Sequence, residues 1–82
     1  MYLSKIRVTL RKSILDPQGK AIEHAIGTMN VGGIKDVRMG KYIEMKVEAT
    51  DEALATAATE EVCKKLLANS VMEDYHFEIE KL

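Results

Sequence analysis

Few groups in this sequence could do covalent chemistry. Cys63 is the single thiol, and His24 and His76 are the two imidazoles. A thiol nucleophile needs a base within hydrogen-bond reach and an exposed, electropositive setting. Cys63 instead falls on an apolar helical stripe with Leu54, Ala55, Ala58, Val62, Leu66 and Leu67, where a small apolar residue belongs. Neither histidine stands at ligand spacing from a Cys or carboxylate, and there is no CxxC, so no metal site is expected. Glu73 and Asp74 are an adjacent acid pair, but neighbours on a strand point to opposite faces and cannot divide a proton transfer between them. They suit hydrogen bonding or an interface. Arg38 and Lys41 flank Met39-Gly40, which fits either an anion held at a glycine turn or a hairpin tip with solubilising charge. No P-loop and no GxGxxG occurs, so neither type of nucleotide site is expected. The expected catalytic, cofactor and metal sets in this chain are all empty.

The elements that position these groups follow from periodicity. Tyr2 to Arg11 alternates, with Ile6, Val8 and Leu10 on one side and Lys5, Arg7, Thr9 and Arg11 on the other, which predicts a half-buried strand. Asp16 before Pro17 predicts a helix start, followed by Ile22, Ala25, Ile26 and Met29 at helical spacing. Asn30 to Gly33 supplies its end. Ile34 to Met39 and Tyr42 to Ala49 read as two strands joined by a hairpin at Gly40. Matching faces would set Val37 against Met45 and Met39 against Ile43, through a three-residue loop or a bulge. Thr50-Asp51-Glu52 opens a second helix, with Asn69 a plausible C-cap. Val71 to Ile79 alternates again, and only Glu73 falls on the apolar side. The order β-α-β-β-α-β predicts an α+β, ferredoxin-like two-layer sandwich. Four antiparallel strands would carry two helices on one face. The other face would present Lys5, Arg7, Thr9, Glu44, Lys46, Asp74, His76 and Glu78, as a solvated surface or a polar contact between copies.

Composition narrows the function. The chain has 82 residues, which predicts one domain over 1–82. Twelve Lys+Arg against 13 Asp+Glu leave a net charge of −1, which argues against nucleic acid and against a basic membrane surface. Hydrophobic residues make up 46%, too many for disorder, yet no run of 18 apolar residues could span a bilayer. The first residues turn charged too early for a signal peptide, and one cysteine excludes a disulfide framework, so cytoplasm is the expected compartment. A core with few aromatics and no Trp is marginal, which favours self-association or a permanent partner.

Three segments resemble the PurS family, the small subunit of phosphoribosylformylglycinamidine (FGAM) synthase. They are Val8-Thr9-Leu10-Arg11 with Leu15-Asp16-Pro17-Gln18-Gly19, then Val37-Arg38-Met39-Gly40-Lys41, then Cys63-x-x-Leu66-Leu67-Ala68-Asn69 with Val71-x-Glu73-Asp74-Tyr75. Ser70 departs from the proline often found in the family and leaves the entry to the last strand looser. The resemblance implies a non-catalytic, homo-oligomeric adaptor, dimer or tetramer, that docks a glutaminase subunit, PurQ, on an ATP-dependent synthase subunit, PurL. On that reading PurQ releases ammonia from glutamine, and PurL holds ATP and Mg and transfers the ammonia to formylglycinamide ribonucleotide. Asp16, Pro17 and Gly19 carry over as a helix start, Arg38, Gly40 and Lys41 as a hairpin tip, and Asn69, Glu73, Asp74 and Tyr75 as a helix-to-strand corner. Of these, Arg38, Lys41, Glu73 and Asp74 are the expected contacts to partner subunits or to a second copy, and charge reversal at Arg38 and Lys41 is expected to spare the melting temperature.

The alternative is a free-standing module that binds a small metabolite. An acylphosphatase-like enzyme would need a glycine-bearing anion loop after the first strand, and Lys12-Ser13-Ile14-Leu15 has none. An RNA-binding module would need exposed aromatics on the central strands, where charged residues stand instead.

Overall fold

Alternation in the first ten residues produces the central strand of the sheet. A computed structural model describes all 82 residues and places β1 at Tyr2–Leu10, α1 at Pro17–Gly27, β2 at Gly40–Val47, α2 at Glu52–Val62 and β3 at Glu73–Lys81. β1 pairs antiparallel with both neighbours, so the sheet order is β2-β1-β3. Ile6 lies between Ile43 and Phe77, and Lys5 between Glu44 and Glu78. One sheet face therefore collects Ile6, Val8, Ile43, Met45, Tyr75 and Phe77, and the other collects the charges.

Asp51 caps α2 by accepting from the Leu54 amide at 2.9 Å. α2 lies over the apolar face, and its last turn widens into a π-helix, Cys63–Leu67, closed by the Ala68 amide on the Cys63 carbonyl at 3.0 Å. Ile6, Val8, Cys63 and Ala68 form the buried centre, with Leu67 packed against it. Ser4 and Thr59 are both fully buried and tie β1 to α2 through a 2.6 Å hydrogen bond between hydroxyls. Thr59 donates its own proton to the Ala55 carbonyl at 2.9 Å, which leaves Ser4 as the donor between them.

The four-stranded expectation is corrected to three strands. Ile34 to Met39 is not a strand, and Gly40 is no hairpin tip: it is the first residue of β2, opposite Thr9. The backbone explains why. Gly33 has φ 82° and Asp36 φ 55°, both left-handed, so the segment cannot stay extended. Its amides are also taken by side chains. Val37 donates to Glu23 Oε1 at 3.2 Å and Met39 donates to Asp16 Oδ2 at 2.7 Å. Alternation in the sequence records the faces but not where backbone donors go. The predicted pairings of Val37 with Met45 and Met39 with Ile43 are accordingly absent, as is the bulge. β3 begins at Glu73 rather than Val71, because the amides of Met72 and Glu73 close a turn on the Asn69 carbonyl.

The expectation of two helices on one face also fails. α1 ends at Gly27, hardly touches the sheet, and buries only Gly19. With the loops on either side it projects as an arm. The radius of gyration is 16.2 Å and the extents are 51 × 28 × 14 Å. A compact chain of this length would have a radius of gyration of about 12 Å.

Candidate functional site

The arm is joined to the sheet by a small polar lock. Asp16 caps α1, its Oδ1 accepting from the Gly19 amide at 3.0 Å while Oδ2 takes the Met39 amide. Asp16 is almost fully buried, and these two amides, Gly19 first, hold its carboxyl below the usual carboxylate range. Glu23, two turns further along α1, is lowered for the same kind of reason by the Val37 amide and by Lys20. The returning chain comes very close to the helix. A Cβ on Gly19 would lie 2.3 Å from the Val37 carbonyl oxygen, so only glycine fits there. Gly40 is constrained similarly, with Val8 O and Thr9 Cγ2 each 2.8 Å from where a Cβ would stand.

Arg38 closes the lock from the other side. Its Nη2 faces the carbonyl oxygens of Arg11 at 2.8 Å, Ile14 at 3.2 Å and Leu10 at 3.3 Å. The guanidinium thus holds the β1–α1 loop against the entry to β2. Lys41 and Glu73 come together across the top of the sheet, 3.5 Å apart, beside a hollow of about 230 Å³. Glu73 also accepts from the Asn69 amide at 2.8 Å, and Asn69 Oδ1 takes the Val71 amide at 2.9 Å. The helical backbone ends before this, with Cys63 the C-cap of α2 and Ala68 that of the π-turn, and Asn69 shapes the turn that follows. Asp74 points to the opposite face and pairs with Arg11 at 3.5 Å. Tyr75 donates to Glu60 at 2.6 Å, and this hydrogen bond raises its phenol to about 12.

The ten residues singled out in sequence thus fall into two groups at the same end of the sheet. Asp16, Pro17, Gly19, Arg38 and Gly40 build the base of the arm. Lys41, Asn69, Glu73, Asp74 and Tyr75 build the corner between α2 and β3. The sequence offered no sign that Arg38 spends its donors on backbone carbonyls. It also missed Glu23, although a carboxylate two turns after Asp16 is the signal that could have found it. Cys63 is fully buried, and burial, with Glu60 nearby, pushes its thiol up. A thiol in that state does not act as a nucleophile. No three His, Cys, Asp or Glu side chains converge as metal ligands. No helix is long and apolar enough to cross a membrane.

Leu15 is 69%, Met29 66% and Val31 49% exposed, all on or beside the projecting arm. Large apolar side chains on a braced extension mark an interaction surface. Fold and site together define a small binding scaffold, with its polar groups committed to its own architecture.

Comparison with known proteins gives this scaffold its family. Residues 3–81 match the family described as PurS: Phosphoribosylformylglycinamidine (FGAM) synthase, and the chain belongs to it. The phosphoribosylformylglycinamidine synthase subunit PurS of Bacillus subtilis (strain 168) is 46% identical over 82 residues, covering 100% of this chain and 96% of that protein. The crystal structure of Methanocaldococcus jannaschii PurS is described as one of the subunits of formylglycinamide ribonucleotide amidotransferase in the purine biosynthetic pathway. It superposes with a TM-score of 0.90 at 35% identity, over 100% of this chain and 99% of that one. A chain in the structure of PurLQS from Thermotoga maritima superposes with a TM-score of 0.86 at 29% identity, over 96% and 98%.

Proposed function

We propose that this chain is the adaptor subunit of an FGAM synthase in purine biosynthesis. It docks a PurQ-like glutaminase on a PurL-like synthase, so that ammonia released from glutamine reaches the site where the amide is activated. ATP and Mg belong to the PurL-like partner. The complex works in the cytoplasm, and the chain self-associates within it as a dimer or tetramer. One observation carries the reading: the braced arm, which leaves Leu15, Met29 and Val31 uncovered in the isolated chain. A short chain gains little by holding an apolar arm away from its own sheet unless another molecule covers it. The assembled PurLQS relative supports the same reading.

An ammonia path must also exclude bulk water, since protonation removes the nucleophilic lone pair. An arm locked by Asp16, Glu23 and Arg38 can hold two partners in fixed register, which a flexible tether could not. The test is reconstitution with PurL-like and PurQ-like partners from the same source. The chain should restore glutamine-dependent product formation while changing the ammonia-dependent rate at high pH very little. If both rates ignore it, the adaptor reading is wrong.

A further inference from the structure

Three charges at the base of the arm find no charged partner within the chain. Lys12 just beyond β1, and Asp36 and Arg38 in the segment returning from α1, together line a hollow of about 470 Å³. None of the three enters any of the seven ion pairs of the molecule. Arg38 commits only its Nη2, to the carbonyl oxygens of Leu10, Arg11 and Ile14, and keeps the donors on Nε and Nη1 in reserve. The walls of the hollow are held in place. Arg38 is fixed by those carbonyls, and the amides on either side of it, Val37 and Met39, are bonded to Glu23 and Asp16. Asp36 has a left-handed backbone, φ 55°, which an aspartate tolerates better than most residues. Opposite charges around one space ordinarily close on one another. Here the backbone that carries them is anchored, and they stand open.

No apolar side chain lines this hollow. An aromatic base has nothing to stack on there, so the occupant is small and hydrophilic throughout. A lone phosphate is disfavoured as well, because its oxygens would meet the Asp36 carboxylate. The complement of two cations and one carboxylate is a molecule with two carboxylates and one ammonium. We infer that the hollow binds a free acidic amino acid, L-glutamate. One of its carboxylates lies on the unused donors of Arg38, the other on Lys12, and its ammonium on Asp36. The lining carries one net positive charge and glutamate one net negative, so the pair is neutral. The choice of glutamate among acidic amino acids rests on the proposed function: a glutaminase releases one glutamate with every ammonia. Bound in the hollow, glutamate bridges the end of β1 to the segment that returns from the arm. It thereby reinforces the lock made by Asp16, Glu23 and Arg38, and the product of one partner acts on the element that positions both.

The experiment uses the full chain without partner subunits, so its failure leaves the adaptor test untouched. Amide chemical shifts of the isotope-labelled chain are followed by NMR as L-glutamate, glutarate, L-glutamine or inorganic phosphate is added at constant ionic strength. L-Glutamate should shift the amides of Lys12, Asp36 and Arg38 saturably, with a Kd of about 1 mM, while those of β3 stay in place. Glutarate lacks the ammonium and L-glutamine the second carboxylate, and each should bind about fivefold more weakly. A glutamate side chain within a polypeptide also lacks the ammonium, so glutarate stands for that source. Asp36→Asn keeps a residue that tolerates the left-handed backbone and removes only the charge. It should bring L-glutamate down to the level of glutarate and leave glutarate no weaker. Lys12→Met should weaken both about fivefold. Arg38 is left unchanged, because its replacement disturbs the arm itself. Absence of saturation with L-glutamate overturns the inference. So do phosphate binding at the same amides as tightly, glutarate equal to glutamate on the wild type, a preference for glutamate that survives Asp36→Asn, or a Lys12→Met chain that binds like the wild type.

Discussion

Replacing Gly19 by Ala tests whether the arm is rigid and whether that rigidity matters. The added Cβ would stand 2.3 Å from the Val37 carbonyl oxygen, where ordinary contact begins near 3.4 Å, so that oxygen must retreat by about 1 Å. Backbone oxygens in a short loop cannot do this without moving the amides beside them. Overpacking of this kind costs about 1–3 kcal/mol. Losing the hydrogen bonds donated by Val37 and Met39 adds roughly 0.5–1.5 kcal/mol each, while alanine in the helix returns about 1 kcal/mol. The net is about 1–5 kcal/mol, which raises the open population of the arm by roughly 5-fold at least and up to several thousand-fold. Because α1 hardly touches the sheet, the loss should stay local. Amide exchange at Gly19, Val37 and Met39 should accelerate by that factor while exchange in β1 barely changes. Glutamine-dependent synthesis in the reconstituted complex should fall, with the ammonia-dependent rate preserved. Unchanged exchange at the three amides would refute the close-approach argument. Equal acceleration in β1 would show that arm and sheet unfold together, and the independence argued from the fold would be wrong.

Two further predictions use other parts of the molecule. Thr59→Val strands the buried Ser4 hydroxyl without a partner and should cost about 1–3 kcal/mol, a fall in melting temperature of roughly 4–8 °C per kcal/mol. Adding Ser4→Ala removes the stranded group, so the double variant should be more stable than Thr59→Val alone at the same chain concentration; strict additivity in thermal melts would contradict the 2.6 Å bond. Asp16 and Glu23 are both held below their ordinary pKa, so the folded arm binds protons more weakly than the unfolded one. Their stabilisation is complete above the ordinary carboxylate range and is lost as pH falls through the depressed values. Exchange protection at Val37 and Met39, corrected for intrinsic rates, should therefore stay constant from neutral pH to about 5 and collapse only in stronger acid. Loss of protection beginning near neutrality would point to some other group.

The structure alters what Arg38 is expected to do. Position beside a glycine suggested an exposed charge whose reversal would spare the fold. With its Nη2 among three backbone carbonyls, reversal instead places a carboxylate against carbonyl oxygens. Lowered stability of the arm is now the expected result, and Lys41, paired only with Glu73 across the sheet end, is the better probe of a partner contact.

Local signals in the sequence were sufficient for β1, α2 and β3, for the Asp16 cap and a cap within Thr50-Asp51-Glu52, and for the division of the sheet into apolar and charged faces. Alternation and capping depend on a few neighbouring residues, so they are legible without the rest of the chain. The LDPQG and LLAN segments likewise carried the family. Residues 34–39 were not legible. Their alternation is compatible with a strand, and what prevents one is the left-handed backbone at Gly33 and Asp36 together with two carboxylates reaching back from α1. Nor could the sequence place α1 away from the sheet: an amphipathic helix looks the same whether its apolar side meets its own sheet or another molecule. Glu73 stood out as a misfit, but its reason, Lys41 arriving from a strand more than thirty residues earlier, exists only once β2 and β3 flank β1. Periodicity is a property of neighbours in sequence. The destination of a donor, the partner of a charge and the direction of an arm are properties of neighbours in space, and only the tertiary structure decided them.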